Sequence, residues 1–171
     1  MTIDKNLAGL LEPLSIALRL EEEGKRFFVD AAARVTSKSA KQTFEFLAAE
    51  EDKHIQRIRE IYRSLEDSGG AVVPETEASD ADSRLTAFND RMAHLRDEIN
   101  PTISDLEAYK TALKFENGAE EFYARQVAES SNPRIKEFYT WLINEEAMHA
   151  RVLRSCVLFV EDPANWFKDR Q

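Results

Sequence analysis

Apolar residues recur every three or four positions along most of this 171-residue chain, and that spacing places them on one face of an α-helix. The pattern is clearest after Ser39, where five large apolar residues fall on one helical face: Phe44, Leu47, Ile55, Ile58 and Ile61. Five glycines and five prolines are few for an all-β protein, which needs many tight turns. The pattern therefore predicts an all-α fold.

Breaks in the pattern divide the chain into four long helices and one long crossover connection. The helices are predicted at residues 13–35, 39–66, 104–130 and 133–160. The crossover, residues 68–103, begins near two glycines, contains a short helix at about 84–99 and ends near Asn100-Pro101. We expect the tail after Pro163 to be mobile. The prediction is a single domain over residues 1–171, a four-helix bundle made of two helical hairpins.

Residues suited to a helix start precede three of the predicted helices. Ser37 or Ser39 can accept a hydrogen bond from a free N–H group in the first turn of the second helix. Ser104, followed three residues later by Glu107, predicts a capping box at the start of the third helix. Pro133 suits the first turn of the fourth helix, because a proline there loses no helical hydrogen bond.

The two halves of the chain repeat each other at an offset of 95 residues. Three residues of the first half recur with their spacing unchanged: Glu21, Glu51 and His54 correspond to Glu116, Glu146 and His149. The surrounding sequence repeats as well, since ALRLE at 17–21 aligns with ALKFE at 112–116, and FF at 27–28 aligns with FY at 122–123. The repeated residues therefore belong to two equivalent hairpins.

The spacing of the repeated residues places them at one level of the bundle. Glu21 lies 16 residues before a turn at Ser37 and Glu51 lies 14 residues after it, so both are roughly 21 to 24 Å from the turn. The second hairpin gives the same result around Ser131. Each histidine follows a glutamate by three positions and projects from the same helix face. Six side chains are therefore expected to converge in the core.

Four carboxylates and two imidazoles form a ligand set that suits a pair of iron or manganese ions better than zinc or calcium. The alternative is that these residues are ordinary solvated side chains, which would be the better interpretation of a single Glu-x-x-His. Two such motifs, each with a glutamate at the same height on the neighbouring helix, favour the interpretation as metal ligands. Burying four carboxylates without cations would be very costly.

Neighbouring residues are weaker candidates. Glu50 and Glu145 also repeat, but they point about 100° away from the adjacent ligands, so an exposed or supporting role is expected. Tyr123 can place its hydroxyl on a ligand carboxylate, which its counterpart Phe28 cannot do. Glu120 lies one turn from Glu116 and could approach the site. Packing or surface roles are expected for His94, Trp141, Cys156 and Trp166.

Charge and cysteine content narrow the function classes. A net charge of −9 argues against binding to nucleic acid or to an anionic membrane surface. Cys156 is the single cysteine, so the chain has no disulfide and no cysteine pair for a zinc or rubredoxin-type iron centre. The apolar run at 7–11 is interrupted by Glu12 and Pro13, and no signal peptide or membrane span is expected. We expect a soluble cytoplasmic protein.

With these residues the chain resembles the rubrerythrin branch of the ferritin-like superfamily over about residues 13–160. The strings that carry the resemblance are LEEEGKRFF, AAEEDKH, FENGAEEFY and NEEAMH. The resemblance implies a ferritin-like four-helix bundle with two iron ions, held by the six repeated residues; manganese shares the same ligands. It also implies a reaction with hydrogen peroxide or dioxygen. Many members are homodimers, some formed by exchange of helices, and the glycine-containing loop of the crossover could serve as the hinge.

Two departures from the family bear on function. Rubrerythrins carry an additional glutamate where this chain has Ala119, which puts efficient peroxide reduction in doubt. Full-length members also have a four-cysteine rubredoxin domain, so the electron donor is expected to be a separate protein such as a rubredoxin.

The leading hypothesis is a non-haem di-iron protein that oxidises Fe(II) with peroxide or dioxygen, as a peroxidase or ferroxidase in peroxide detoxification or iron handling. The first rival is a non-enzymatic metal-binding or regulatory protein. A second rival is an oxygenase that acts on an organic substrate and needs an apolar pocket beside the metals. Iron storage in a cage is disfavoured.

Overall fold

The computed structural model describes residues 5–68, 80–94 and 102–168, and the secondary structure of these residues is entirely helical, which confirms the all-α prediction. The helices, in chain order, are α1 (Lys5–Arg34), α2 (Lys38–Ser68), α3 (Ala81–His94), α4 (Ile103–Glu129), α5 (Pro133–Glu161) and α6 (Pro163–Lys168). None of the helices described is long and apolar enough to span a lipid bilayer.

The four long helices form two hairpins, α1 with α2 and α4 with α5. The two helices of each hairpin pack closely, and α1 contacts α4 between the hairpins, where Phe27 stacks on Phe115 with ring centroids 5.1 Å apart. The interior holds two apolar clusters. One is built around Phe28, Phe44 and Val152, and the other around Leu14 and Ile58. The repeated glutamates and histidines lie between these clusters in sequence and form a buried polar layer.

The first helix begins eight residues before the predicted start, at Lys5 rather than Pro13. Pro13 lies inside the helix, where it removes one backbone hydrogen bond. Apolar burial offsets this loss, because Leu10 and Leu14 are both buried against the cluster that contains Ile58. In addition, the Tyr139 hydroxyl donates a hydrogen bond to the Pro13 carbonyl oxygen at 3.2 Å.

The capping box of α4 lies two residues before the predicted one. Thr102 accepts a hydrogen bond from the Asp105 backbone N–H at 3.1 Å, and the Asp105 carboxylate accepts one from the Thr102 N–H at 2.8 Å. The predicted pair, Ser104 and Glu107, has the same spacing but lies already inside the helix. Ser37, one of the two predicted caps, accepts a hydrogen bond from the first turn of α2.

Two short helices pack on α5. The crossover helix α3 begins at Ala81, three residues before its predicted start, and residues 95–99 of the prediction lie outside the described residues, as do Gly69-Gly70 and Asn100-Pro101. The tail predicted to be mobile instead forms α6 over residues 163–168. Trp166 anchors this helix, because its indole is buried and donates a hydrogen bond to Ser155 Oγ at 2.9 Å.

Candidate metal centre

The four long helices bring all six repeated residues together in the buried layer. Helix α1 carries one glutamate, α4 carries one, and α2 and α5 each carry a glutamate and a histidine three residues apart. None of the six is more than 3% exposed: Glu21, Glu51, His54, Glu116, Glu146 and His149. The six residues, which the sequence places at equal distances from the turns of the two hairpins, therefore form one compact cluster.

Two overlapping groups in the cluster each have four ligand atoms within 4.8 Å of one another, and a third group joins Glu51 to both histidines. The first group is Glu21, Glu51, His54 and Glu146, and the second is Glu51, Glu116, Glu146 and His149. Atoms bound to one ion at about 2.1 Å cannot lie more than about 4.2 Å apart, so each group needs only a small contraction around an ion. Two carboxylates belong to both groups.

The shared carboxylates lie between the two histidines. Glu51 places Oε2 3.4 Å from His54 Nδ1 and Oε1 3.4 Å from His149 Nδ1. Glu146 does the same, with Oε1 3.7 Å from His54 Nδ1 and Oε2 3.5 Å from His149 Nδ1. The two imidazole rings are nearly parallel, with centroids 5.1 Å apart. Each shared carboxylate thus offers one oxygen to each half of the cluster.

The outer ligands differ between the halves. Glu21 Oε2 lies 2.8 Å from His54 Nδ1, and the Tyr123 hydroxyl donates a hydrogen bond to Glu21 Oε1. In the other half, Glu116 Oε1 lies 3.3 Å from His149 Nδ1, and neither Glu116 oxygen has a hydrogen-bond partner in the described part of the chain. Phe28 occupies the place equivalent to Tyr123 and packs edge-on against the His149 ring.

Burial and mutual repulsion disturb the ionisation of the candidate ligands. Burial, with the nearby Glu51 charge, raises the pKa of Glu21 to about 7. Burial and the Glu146 charge raise the pKa of Glu116 well above its usual value. Burial opposes protonation of both histidines, but the surrounding carboxylates outweigh it and raise the pKa of His54 and of His149. The metal-free cluster therefore holds protons in place of cations.

A metal fits this donor set. Besides the two Glu116 oxygens, four polar atoms of the cluster have no hydrogen-bond partner among the described residues: Glu51 Oε2, Glu146 Oε1, His149 Nδ1 and His149 Nε2. Buried polar atoms are normally satisfied, and unpaired ones cost free energy. Four carboxylates and two imidazoles are also the ligand types that iron and manganese accept. Among the unpartnered atoms, His149 Nδ1 lies within 3.5 Å of carboxylate oxygens of Glu51, Glu116 and Glu146, which is where an ion would be bound.

Metal binding is expected to release protons and to weaken as the pH falls. Glu21, Glu116 and the two histidines have raised pKa values in the metal-free protein, and ligands must lose their protons to coordinate. Each proton displaced should lower the apparent affinity roughly tenfold per pH unit. Titration of Mn²⁺ into the metal-free protein at pH 8, 7 and 6, with a pH-indicator dye in weak buffer, measures both effects. An affinity that does not change with pH would contradict the assigned ligands.

A network of charged side chains contacts the Nε2 side of His54, opposite the ligand carboxylates. His54 Nε2 donates a hydrogen bond to Glu145 Oε2 at 3.2 Å, and the Arg84 guanidinium on α3 donates to the same oxygen at 2.6 Å. Arg84 also donates to Glu50, which in turn accepts from Lys53 Nζ at 2.5 Å. Burial opposes ionisation of Glu145, but the hydrogen bonds from His54 and Arg84 lower its pKa to about 2. Glu145 is therefore a carboxylate that orients His54.

Sequence reasoning left Arg84 unassigned, because it lies on the crossover and outside the repeat. The predicted supporting role of Glu50 and Glu145 agrees with their positions, and both are buried rather than exposed. Trp141 packs edge-on against His54, with ring centroids 5.7 Å apart. Glu120 is not part of either ligand group. Cys156 is buried in the core, Trp166 packs on α5, and the side chain of His94 lies outside the described residues.

Comparison with known proteins gives an independent assignment. The Rubrerythrin family model matches residues 12–157. Neither the curated proteins nor the solved structures include a significant match. The match covers most of the chain and contains all six candidate ligands. The chain therefore belongs to the rubrerythrin family, in which a ferritin-like helical bundle binds di-iron.

Proposed function

We propose that this protein is a non-haem di-iron protein that oxidises Fe(II) with hydrogen peroxide or dioxygen. The observation that carries the proposal is the pair of overlapping ligand groups that share Glu51 and Glu146. On this assignment Glu21 and His54 would hold one iron ion and Glu116 and His149 the other, and Glu51 and Glu146 would be available to both. Manganese accepts the same ligands.

Bound iron supplies the electrons for reduction of the oxidant, one from each Fe(II). The protein's part is to hold the charges, to exclude bulk water and to deliver protons. Reduction of peroxide to two waters consumes two electrons and two protons. Burial and the Glu21 charge raise the pKa of Tyr123, so its hydroxyl remains a donor to the Glu21 carboxylate.

The proposal is tested by metal analysis followed by rapid kinetics. Protein purified without chelators, or loaded anaerobically with Fe(II), should contain near two irons per chain. Stopped-flow absorbance after mixing with peroxide or dioxygen should report rapid oxidation, faster with peroxide. Glu51→Ala should lower bound iron and peroxide consumption together. A wild-type protein that takes up no iron would refute the proposal.

The alternative is a non-enzymatic metal-binding or regulatory protein whose ions stabilise the bundle. Ala119 supports this alternative, because the family's additional glutamate is missing at that position. The same experiment separates the two functions. A binding protein would load metal but consume peroxide no faster than free iron does.

The asymmetric support of the two histidines gives a further prediction. Glu145→Gln should weaken the ion on the His54 side by about 10- to 100-fold and leave the ion on the His149 side unchanged, because loss of the carboxylate removes the group that orients His54. The matched control is Glu50→Gln, which removes the same charge from Arg84 without touching a histidine. Competitive Mn²⁺ titration followed by electron paramagnetic resonance resolves the two sites. Equal weakening of both ions by both variants would contradict this role for Glu145.

The partners remain predictions. We expect an electron-donor protein such as a rubredoxin as a partner, because oxidised iron must regain electrons before it can react again. We also expect a homodimer, formed directly or by exchange of a helical hairpin through the crossover. Light scattering at working concentration tests the dimer, and a monomer alone would exclude it. A cytoplasmic location likewise remains a prediction.

A further inference from the structure

A cavity of about 390 Å³ lies between α1 and α4, beside the candidate metal centre. Glu21 and Glu51 form part of its wall, so the cavity reaches ligands of both proposed ions. The rest of the wall is mostly apolar and includes Leu20, Phe115, Ala119 and Phe122. The cavity is therefore a mostly apolar space that is directly in contact with the buried carboxylates.

Small residues create this space. Gly24 faces Glu51 so closely that an added Cβ would lie 3.2 Å from Glu51 Oε1 and 3.3 Å from the Phe115 ring. Gly118, on α4, has open space where its Cβ would be. Ala119 adds only a methyl group to the wall. Phe27 of α1 stacks on Phe115 of α4, with ring centroids 5.1 Å apart. The two small residues of α4 follow Phe115 along the cavity wall.

The cavity is larger than the oxidant requires. A water molecule takes up about 30 Å³ of liquid volume, and peroxide and dioxygen have only two heavy atoms each. A space of about 390 Å³ falls within the range of pockets that bind small organic molecules. It has room for on the order of ten non-hydrogen atoms. Its position beside Glu21 and Glu51, together with this size, leaves room for an organic occupant as well as for the oxidant.

Charge at the cavity identifies one end of that occupant. Lys114 and Arg125 line the cavity, and both side chains belong to exposed residues of α4. Neither forms an ion pair within the described ranges 5–68, 80–94 and 102–168. Positive charge at the exposed side and apolar walls towards Glu21 and Glu51 match a molecule with an anionic head and an apolar body. The reverse orientation would place the anion against two carboxylates.

We propose that the cavity binds a small amphiphilic carboxylate of about eight carbons, with its head at the exposed mouth that Lys114 and Arg125 flank and its apolar end towards Glu21 and Glu51. This deepens the proposed function, on which the meaning of the site rests, because the apolar end is then the part of the ligand that approaches the irons. Binding itself requires only the cavity.

Octanoate, which has ten non-hydrogen atoms, is the probe, and 1-octanol is its uncharged counterpart. Isothermal titration calorimetry on metal-free and Zn²⁺-loaded protein measures affinity, and methyl NMR shifts at Leu20 and Ala119 locate the ligand. Ala119→Phe, which fills the cavity, should weaken both probes at least tenfold. The double variant Lys114→Gln/Arg125→Gln should weaken octanoate about threefold and leave 1-octanol unchanged. Lys136→Gln, an exposed lysine on α5 outside the cavity, is the matched control.

The outcomes separate this inference from the di-iron proposal. Octanoate binding that disappears in Ala119→Phe, with metal content unchanged, supports the inference. Full metal loading without octanoate binding overturns the inference alone, and octanoate binding without metal uptake overturns the di-iron proposal alone. If Ala119→Phe does not fold, the double variant on the surface decides, because neither side chain is buried. NMR shifts elsewhere, or a dimer interface that covers the cavity and excludes octanoate, also overturn it.

Discussion

Replacing Glu51 with glutamine is expected to remove both metal ions from the chain, whereas the same change at Glu116 should remove one. Glu51 belongs to both ligand groups and directs one oxygen to each histidine, while Glu116 belongs only to the group that contains His149. A glutamine keeps the shape but loses the charge that binds a cation. Elemental analysis after equilibration with Mn²⁺ should give near zero ions per chain for Glu51→Gln and near one for Glu116→Gln.

The controls for this experiment come from the same helices. Glu146→Gln should behave like Glu51→Gln, because Glu146 is the second shared carboxylate. Glu120→Gln makes the same substitution one turn from Glu116 and should keep both ions, since Glu120 is outside the ligand groups. If Glu51→Gln and Glu116→Gln lost the same number of ions, the division into terminal and shared carboxylates would be wrong.

Removing the metal ions is expected to lower the unfolding temperature by on the order of 20 °C. A ligand at a thousand times its dissociation constant stabilises the folded state by about 4 kcal/mol, so two ions contribute about 8 kcal/mol. For a chain of this size, 1 kcal/mol corresponds to about 2 to 4 °C. The cations also neutralise carboxylates whose repulsion and burial destabilise the metal-free core.

Calorimetry of chelator-treated protein, before and after reloading with redox-inert Mn²⁺, measures this shift. Glu51→Gln is the matched variant, because it should show almost no response to Mn²⁺. Without metal it should unfold at a lower temperature than the metal-free wild type. Burial and the Glu146 charge oppose ionisation of Glu51, but His149 and His54 outweigh them and lower its pKa, so the Glu51 charge stabilises the folded state. A wild-type protein whose unfolding temperature is the same with and without Mn²⁺ would show that the cluster does not hold ions.

Local residue patterns were sufficient for the helices but not for all of their ends. The three-to-four-residue period identifies each long helix because that period is a property of the helix itself. The predicted start of α1 at Pro13 was wrong, because the apolar contacts of Leu10 and Leu14 outweigh the hydrogen bond lost at Pro13. The start of α4 depended on a choice between two pairs of equal spacing, and a capping pattern alone does not decide between Thr102 and Ser104.

The sequence by itself determined which residues form the candidate metal centre and where along the bundle they lie. The repeat preserves their spacing, and the geometry of a helix fixes the position of each residue along the helix axis and the direction of its side chain. It did not determine what surrounds that centre. Arg84 reaches Glu145 from a crossover helix, and the cavity beside Glu51 depends on how α1 and α4 pack against each other. Such contacts join residues far apart in the chain, with no fixed period between them. Only the packing of whole helices against one another brings them together, so only the tertiary structure decides them.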